Sequence, residues 1–274
     1  MSSFLSFHLR QNLTQNILAV FILGYIGIPF RKGILNVATN KTSADLLFPV
    51  AKTGGIFMST KTKRLTESAM LLAIAIVLEL MAKLFIPELP FGGQITLASM
   101  LPIVLISYRH SLKWGFVSSL AYAVVEMLIG MKTVSAAFLP GYFGDGAMIF
   151  KALLMCLLDY LVAYTVLGLG GIFRNKIKKP GISLMCGGIV ALLCRYLAHI
   201  LSGYLLFSGW AEWFFTQEGF PAWGAQLVES LSPTALGILY SVVYNGMYMV
   251  PEIIITAIVA LIIARIPGVV KKIN

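Results

Sequence analysis

The sequence predicts an all-α, polytopic membrane protein, and three observations predict it. Of 274 residues, 58% are hydrophobic and only 12% are charged. Together with a mean hydropathy of +0.87, these values belong to membrane chains rather than soluble globular ones. The apolar residues gather into long runs, several reaching the roughly 20 residues a helix needs to cross a hydrocarbon core. The basic residues, which give a net charge of +10, collect in alternate connections between those runs. Lipid offers no partner to backbone N–H and C=O groups, so such runs are expected to be helices.

Six helices are expected, at 66–86, 95–108, 113–131, 146–171, 181–208 and 235–264. The first ends at Pro87 and Pro90, and Gly92-Gly93 marks the connection as a loop. The second is short for a span, which implies a tilt or a preceding re-entrant turn. The third lies between Lys113 and Lys132, and the fourth contains "LLDYLVAYTVLG" and ends ahead of Arg174. The fifth carries "RYLAHILSGYLLF". The sixth carries "LYSVVYNGMYMVPE", in which Pro251 predicts a kink.

One set of connections holds Lys61, Lys63, Arg64, Arg109, Lys113, Arg174, Lys176, Lys178, Lys179, Arg265, Lys271 and Lys272, the other little beyond Lys132. The positive-inside rule therefore puts both termini in the cytoplasm. The outer loops are then 87–94, 132–145 and 209–234. The last carries Trp210, Trp213 and Trp223, as an amphipathic lid or interfacial segment would.

Residues 1–57 stand apart. "QNILAVFILGYIGIPF" has the character of an anchor helix, but the stretch after it has no helical period. Gly54-Gly55 can be encoded as GGAGGN, a bacterial ribosome-binding sequence, with Ile56 and Phe57 before Met58. The expectation is a translated leader over 1–57 and a membrane domain over 58–274, the rival being a weakly packed N-terminal anchor.

Several chemistries have no motif here. There is no GxxxxGK[ST] for ATP hydrolysis, no HExxH, no GxSxG, no arginine ladder and no CxxC. Cys156, Cys186 and Cys194 fall in apolar runs as small buried hydrophobes. With few long loops, the net positive charge reads as topology and not as a nucleic-acid surface.

What remains is polar side chains inside spans, which are costly and mark functional sites by default. His199, Gly203 and Phe207 share one helix face at i, i+4, i+8. They form a notch for a flat ring, or else Gly203 serves helix packing. Arg195, one turn away, reads as structural. Asp159 needs a partner, either Arg195 or Lys151 or a cationic ligand, and Tyr160 adds a ring and a hydroxyl. Ser241, Asn245, Tyr248 and Glu252 form a polar stripe flanked by Tyr240 and Tyr244. The Asn245 amide suits the edge of a heteroaromatic ring. Glu79 and Lys83, at i, i+4, are expected to satisfy each other, and Glu126 to reach interfacial water, the alternative being a place on a cavity wall. Ala69 and Ala73 form a small-xxx-small face on the first helix, either internal or open to another helix.

The stretches "LTESAMLLA", "GGQITLASMLPIVLISYRHSLKWG", "LLDYLVAYTVLGLGGIFR", "RYLAHILSGYLLF" and "YSVVYNGMYMVP" resemble the thiamine-specific S component (ThiT or YuaJ family) of energy-coupling-factor vitamin transporters. The resemblance runs from Leu65 to the C-terminus. It implies a six-helix membrane protein, both termini cytoplasmic, that captures thiamine from outside. Its partners would be a transmembrane coupling protein and two cytoplasmic ATPases, so ATP is used by those subunits and no cofactor by this chain. By position the resemblance assigns substrate binding to Asp159 and Tyr160, His199, Tyr240 and Asn245. Asp159 stands where many members have Glu. Phe207 stands where some have a stacking Trp, a role Trp210 could also fill. The first outer loop has Gly93 where some members have Trp, and the 209–234 loop is longer. The face implied to meet the coupling protein is Ala69 and Ala73. Three alternatives stay open: an S component for another vitamin, a stand-alone secondary transporter, and a membrane enzyme.

Overall fold

A computed structural model describes residues 59–89, 92–143 and 148–272. The expected leader or anchor over 1–57 and the start at Met58 lie outside the described residues. Every span described is helical, and five helices are long and apolar enough to cross a membrane.

Helix α1 is Thr60–Phe85, opened by Ser59, whose side chain accepts from the Thr62 N–H. Ser68, Leu71, Ala75, Glu79 and Ala82 form its buried stripe. Leu65, Met70, Val77, Leu80 and Leu84 are exposed on the opposite side, as befits a lipid face.

The expected helix over 95–108 is corrected. The chain enters the bundle without helical structure, and α2 is only Leu101–Arg109. Leu97 and Ala98 adopt left-handed backbone, φ 52° and 63°, which no right-handed helix can include. Helix formation starts only beyond them, with Pro102 in the first turn. Leu101 through Tyr108 are all buried, so α2 is a core helix wrapped by the others. Irregular backbone at this depth is tolerated because protein surrounds it.

Helix α3, Leu112–Ile129, is capped by Ser111. A short α4, Met131–Ala137, occupies part of the expected outer loop. The helical run Met148–Gly171, called α5, is α-helical at Met148–Met155, π-helical over Cys156–Val162 and 3-10 over Val166–Gly171. Helix α6 is Pro180–Phe207. The 209–234 loop is more ordered than expected, holding α7, Ala211–Thr216, and α8, Trp223–Ser230. Helix α9, Pro233–Ile263, continues as one helix through Pro251.

Leu197, Leu201 and Leu205 on α6, with Ile254 and Ile258 on α9, point outward, while polar residues collect inside. Arg109 pairs with Glu67 and donates to the Gly268 and Val269 carbonyls, tying α1, α2 and the C-terminal segment together at the basic end. The three cysteines are half-buried, free thiols.

Candidate functional site

A cavity of about 130 Å³ opens within the bundle, walled by α1, α3, α5, α6, α9 and the non-helical segment before α2. Seven of the expected residues line it: Asp159, Tyr160, His199, Gly203, Phe207, Tyr240 and Asn245. Trp210 does not; its ring stands edge-on to Trp213 at 6.1 Å. Ala69 and Ala73 are far from it in role, exposed on the outer side of α1.

The α5 side of the cavity is built by the π-helical turn. An i→i+5 turn widens the helix and re-aims the side chains it carries, and such turns are frequent at functional sites. Asp159 and Tyr160 both lie in it. Tyr160 places its hydroxyl against Gly130, where any Cβ would collide with it.

The Asp159 carboxylate is held by α6. His199 Nδ1 is 2.9 Å from Oδ1, and Ser202 Oγ donates to Oδ2 at 2.6 Å. Of the partners the sequence left open, neither Arg195 nor Lys151 takes this carboxylate. Lys151 donates to the Phe143 carbonyl at 3.3 Å. Arg195 donates to Tyr164 Oη at 3.0 Å, with its guanidinium 4.3 Å from that ring's centroid. With Nδ1 engaged by the carboxylate, a neutral His199 presents Nε2 as an acceptor. Nε2 is buried and has no hydrogen-bond partner among the described residues.

On α9, the Asn245 amide nitrogen donates to the Ser241 carbonyl at 2.9 Å and the His199 carbonyl at 3.2 Å. Its oxygen accepts from Tyr248 Oη at 2.6 Å. The expected paired reading of a ring edge is therefore not available in this arrangement. Asn245 braces α6 against α9 and keeps one oxygen lone pair for a ligand. Gly203 lines the cavity and also serves the helix packing that the sequence offered as its alternative. A Cβ there would collide with Ser241 Oγ and sit 3.0 Å from Asn245 Nδ2, so α9 fills the notch and the glycine permits close helix approach.

Aromatic rings flank this polar center. Phe207 packs on Phe143 at 5.4 Å and Tyr142 at 6.3 Å. Tyr240 and Tyr244 lie 5.6 Å apart, both backed by Phe214 of α7. His199 stands edge-on to Tyr248 at 5.9 Å.

Some lining residues received another reading from the sequence. Glu79 accepts from Ser99 Oγ at 2.9 Å instead of pairing with Lys83. Glu126, only 2% exposed, does not reach interfacial water but takes its alternative place on the cavity wall. Tyr164 Oη donates to it at 3.5 Å. Ser202 went unnoticed, although it lies three residues from His199 on the same face. The carboxyl groups of Glu79, Glu88, Glu126 and Asp159 line the cavity together with the cations Lys83 and Arg195.

Comparison with known proteins agrees. The family profile described as "Thiamine transporter protein (Thia_YuaJ)" matches residues 65–270. The thiamine transporter ThiT of Bacillus subtilis (strain 168) is 30% identical over 210 residues, covering 73% of this chain and 90% of that protein. The solved structure of ThiT from Listeria monocytogenes superposes with a TM-score of 0.51 at 18% identity, covering 77% of this chain and 98% of that one, and supports the fold. With spans of this kind and a match over most of its length, the chain is a multi-pass protein of the cell membrane and belongs to the thiamine transporter (Thia_YuaJ) family.

Proposed function

We propose that this chain binds thiamine with high affinity in the α1–α3–α5–α6–α9 cavity, by capture and not catalysis. It acts as the S component of an energy-coupling-factor importer. The observation that carries this reading is the Asp159–His199 pair set among aromatic walls in an acid-rich cavity. Thiamine brings a permanently cationic thiazolium, an aminopyrimidine and a hydroxyethyl arm. The Asp159 carboxylate, on the cavity wall, compensates the thiazolium charge. A face of Phe207 or Tyr160 beside it contributes about 0.5–2 kcal/mol of cation–π attraction. His199 Nε2 can accept from the exocyclic amine. The single open lone pair of Asn245 can take a further donor. Access is from the side of the α7–α8 segment, where Phe214 backs Tyr240 and Tyr244.

Delivery needs energising subunits, because the chain has no P-loop of its own. The face proposed to meet the coupling protein is Ala69 and Ala73, which are exposed while Ser68, Leu71 and Ala75 pack inward. Small side chains there permit close helix approach. Mass spectrometry of small molecules released from the protein purified from cells grown with thiamine tests the cargo. Recovery of unaltered thiamine is expected; recovery of a converted product, or of a different solute in its place, refutes capture of thiamine.

A further inference from the structure

Three residues of α9 at i, i+4 and i+8 grip the non-helical segment before α2 at successive heights. Tyr244 Oη donates to the Gly92 carbonyl at 3.0 Å. The Gly93 backbone lies so close on the Tyr248 ring that a Cβ would come within 2.8 Å of Cδ1. One turn deeper, Glu252 Oε2 accepts the Thr96 N–H at 2.7 Å, and Oε1 accepts the Ala98 N–H at 3.0 Å and Thr256 Oγ1 at 3.3 Å.

The deepest contact has an unusual form. Leu97 and Ala98 are consecutive left-handed residues, the only non-glycine ones with positive φ among the described residues. Their carbon side chains disfavour that conformation. Backbone N–H groups that converge in a turn of this kind make a concavity for an anion. Here the anion is a side chain of the same protein. Glu252 is 1% exposed and takes part in none of the ion pairs among the described residues, so these donors carry its hydrogen bonding. The carboxylate does not line the cavity, but Gly92, Gly93, Gln94 and Thr96, on the segment it holds, do.

We propose that Glu252 is a positioning residue for ligand binding. Its carboxylate, seated on the Thr96 and Ala98 N–H groups, fixes the cavity wall formed by 92–96 without touching the ligand. The ligand part of this inference rests on the reading that the cavity takes thiamine. The seating itself does not.

Glu252→Gln preserves size but turns one acceptor oxygen into an NH2 donor facing a backbone N–H. Backbone amide exchange and calorimetric titration with thiamine, on the full chain in detergent, test the proposal. In the variant, amides of 96–99 exchange at least tenfold faster, while those of α1, α6 and α9 keep their wild-type rates. Thiamine binds at least tenfold more weakly, chiefly through faster release. A variant that binds within twofold of wild type overturns the proposal, as does one whose exchange rises throughout the bundle, which makes Glu252 a general stabiliser. If wild type itself does not bind thiamine, the proposed cargo falls, and the exchange at 96–99 alone decides whether Glu252 seats the segment.

Discussion

Asp159 shows how a single side chain is read correctly in kind and wrongly in company. A carboxylate in mid-span was legible as needing a partner. Which partner was not, because Arg195 and His199 lie one turn apart on the same helix and either could reach. The π-helical turn decides it by aiming Asp159 at His199 and Ser202. Arg195 is left to Tyr164. Asn245 was legible as an interior amide, but its bonds to two carbonyls follow from how closely α9 approaches Gly203, which no spacing on one helix reveals. His199→Ala and Asn245→Ala are each expected to weaken thiamine binding at least tenfold, about 1.4 kcal/mol. They differ in stability. Asn245→Ala removes a buried brace and leaves the Tyr248 hydroxyl without its acceptor, about 1–3 kcal/mol, so its melting temperature falls. His199→Ala strands a carboxylate that keeps Ser202, and loses less. Calorimetric titration and thermal unfolding of both variants check this, and wild-type-like titrations overturn the site.

At the scale of elements, the long apolar runs were found with their ends within a few residues, because length and composition dominate in a membrane. Of the irregular features that shape the cavity, the re-entry ahead of α2 was anticipated only as one alternative to a tilt, and the others were not found. Consecutive left-handed residues at 97–98 and a π-helical turn over Cys156–Val162 leave no mark on hydrophobic periodicity, since each is stabilised by contacts from other helices. Two predictions belong here. Gly130→Val pushes a branched side chain into the Tyr160 hydroxyl and should weaken thiamine binding at least tenfold, by titration, without altering membrane insertion. Ala69→Trp with Ala73→Trp should abolish co-purification with the coupling protein and ATPases, and uptake in cells, yet leave binding to the isolated subunit within about twofold, roughly 0.4 kcal/mol. Loss of binding with assembly intact would mean that this face works internally.

Across the whole molecule, the order of construction follows from the solvent. Outward faces of α1, α6 and α9 are apolar because they meet lipid, so polar residues can only collect inside. There they converge on one cavity, and the segment 92–100 enters the bundle to close its wall. Arg109 and Arg174 tie α2 to the C-terminal segment and to the stretch after α5. The convergence of the Asp159–His199 pair and the aromatic rings on that cavity is the property of the whole on which the cargo turns. It is tested most directly by calorimetric titration of the purified chain, without any partner subunit, with thiamine. The account predicts saturable one-to-one binding with a dissociation constant below roughly 1 μM, about −8 kcal/mol, and abolished by Asp159→Asn together with His199→Ala. Absence of measurable binding by the folded wild-type chain, or equal binding by the double variant, would contradict it.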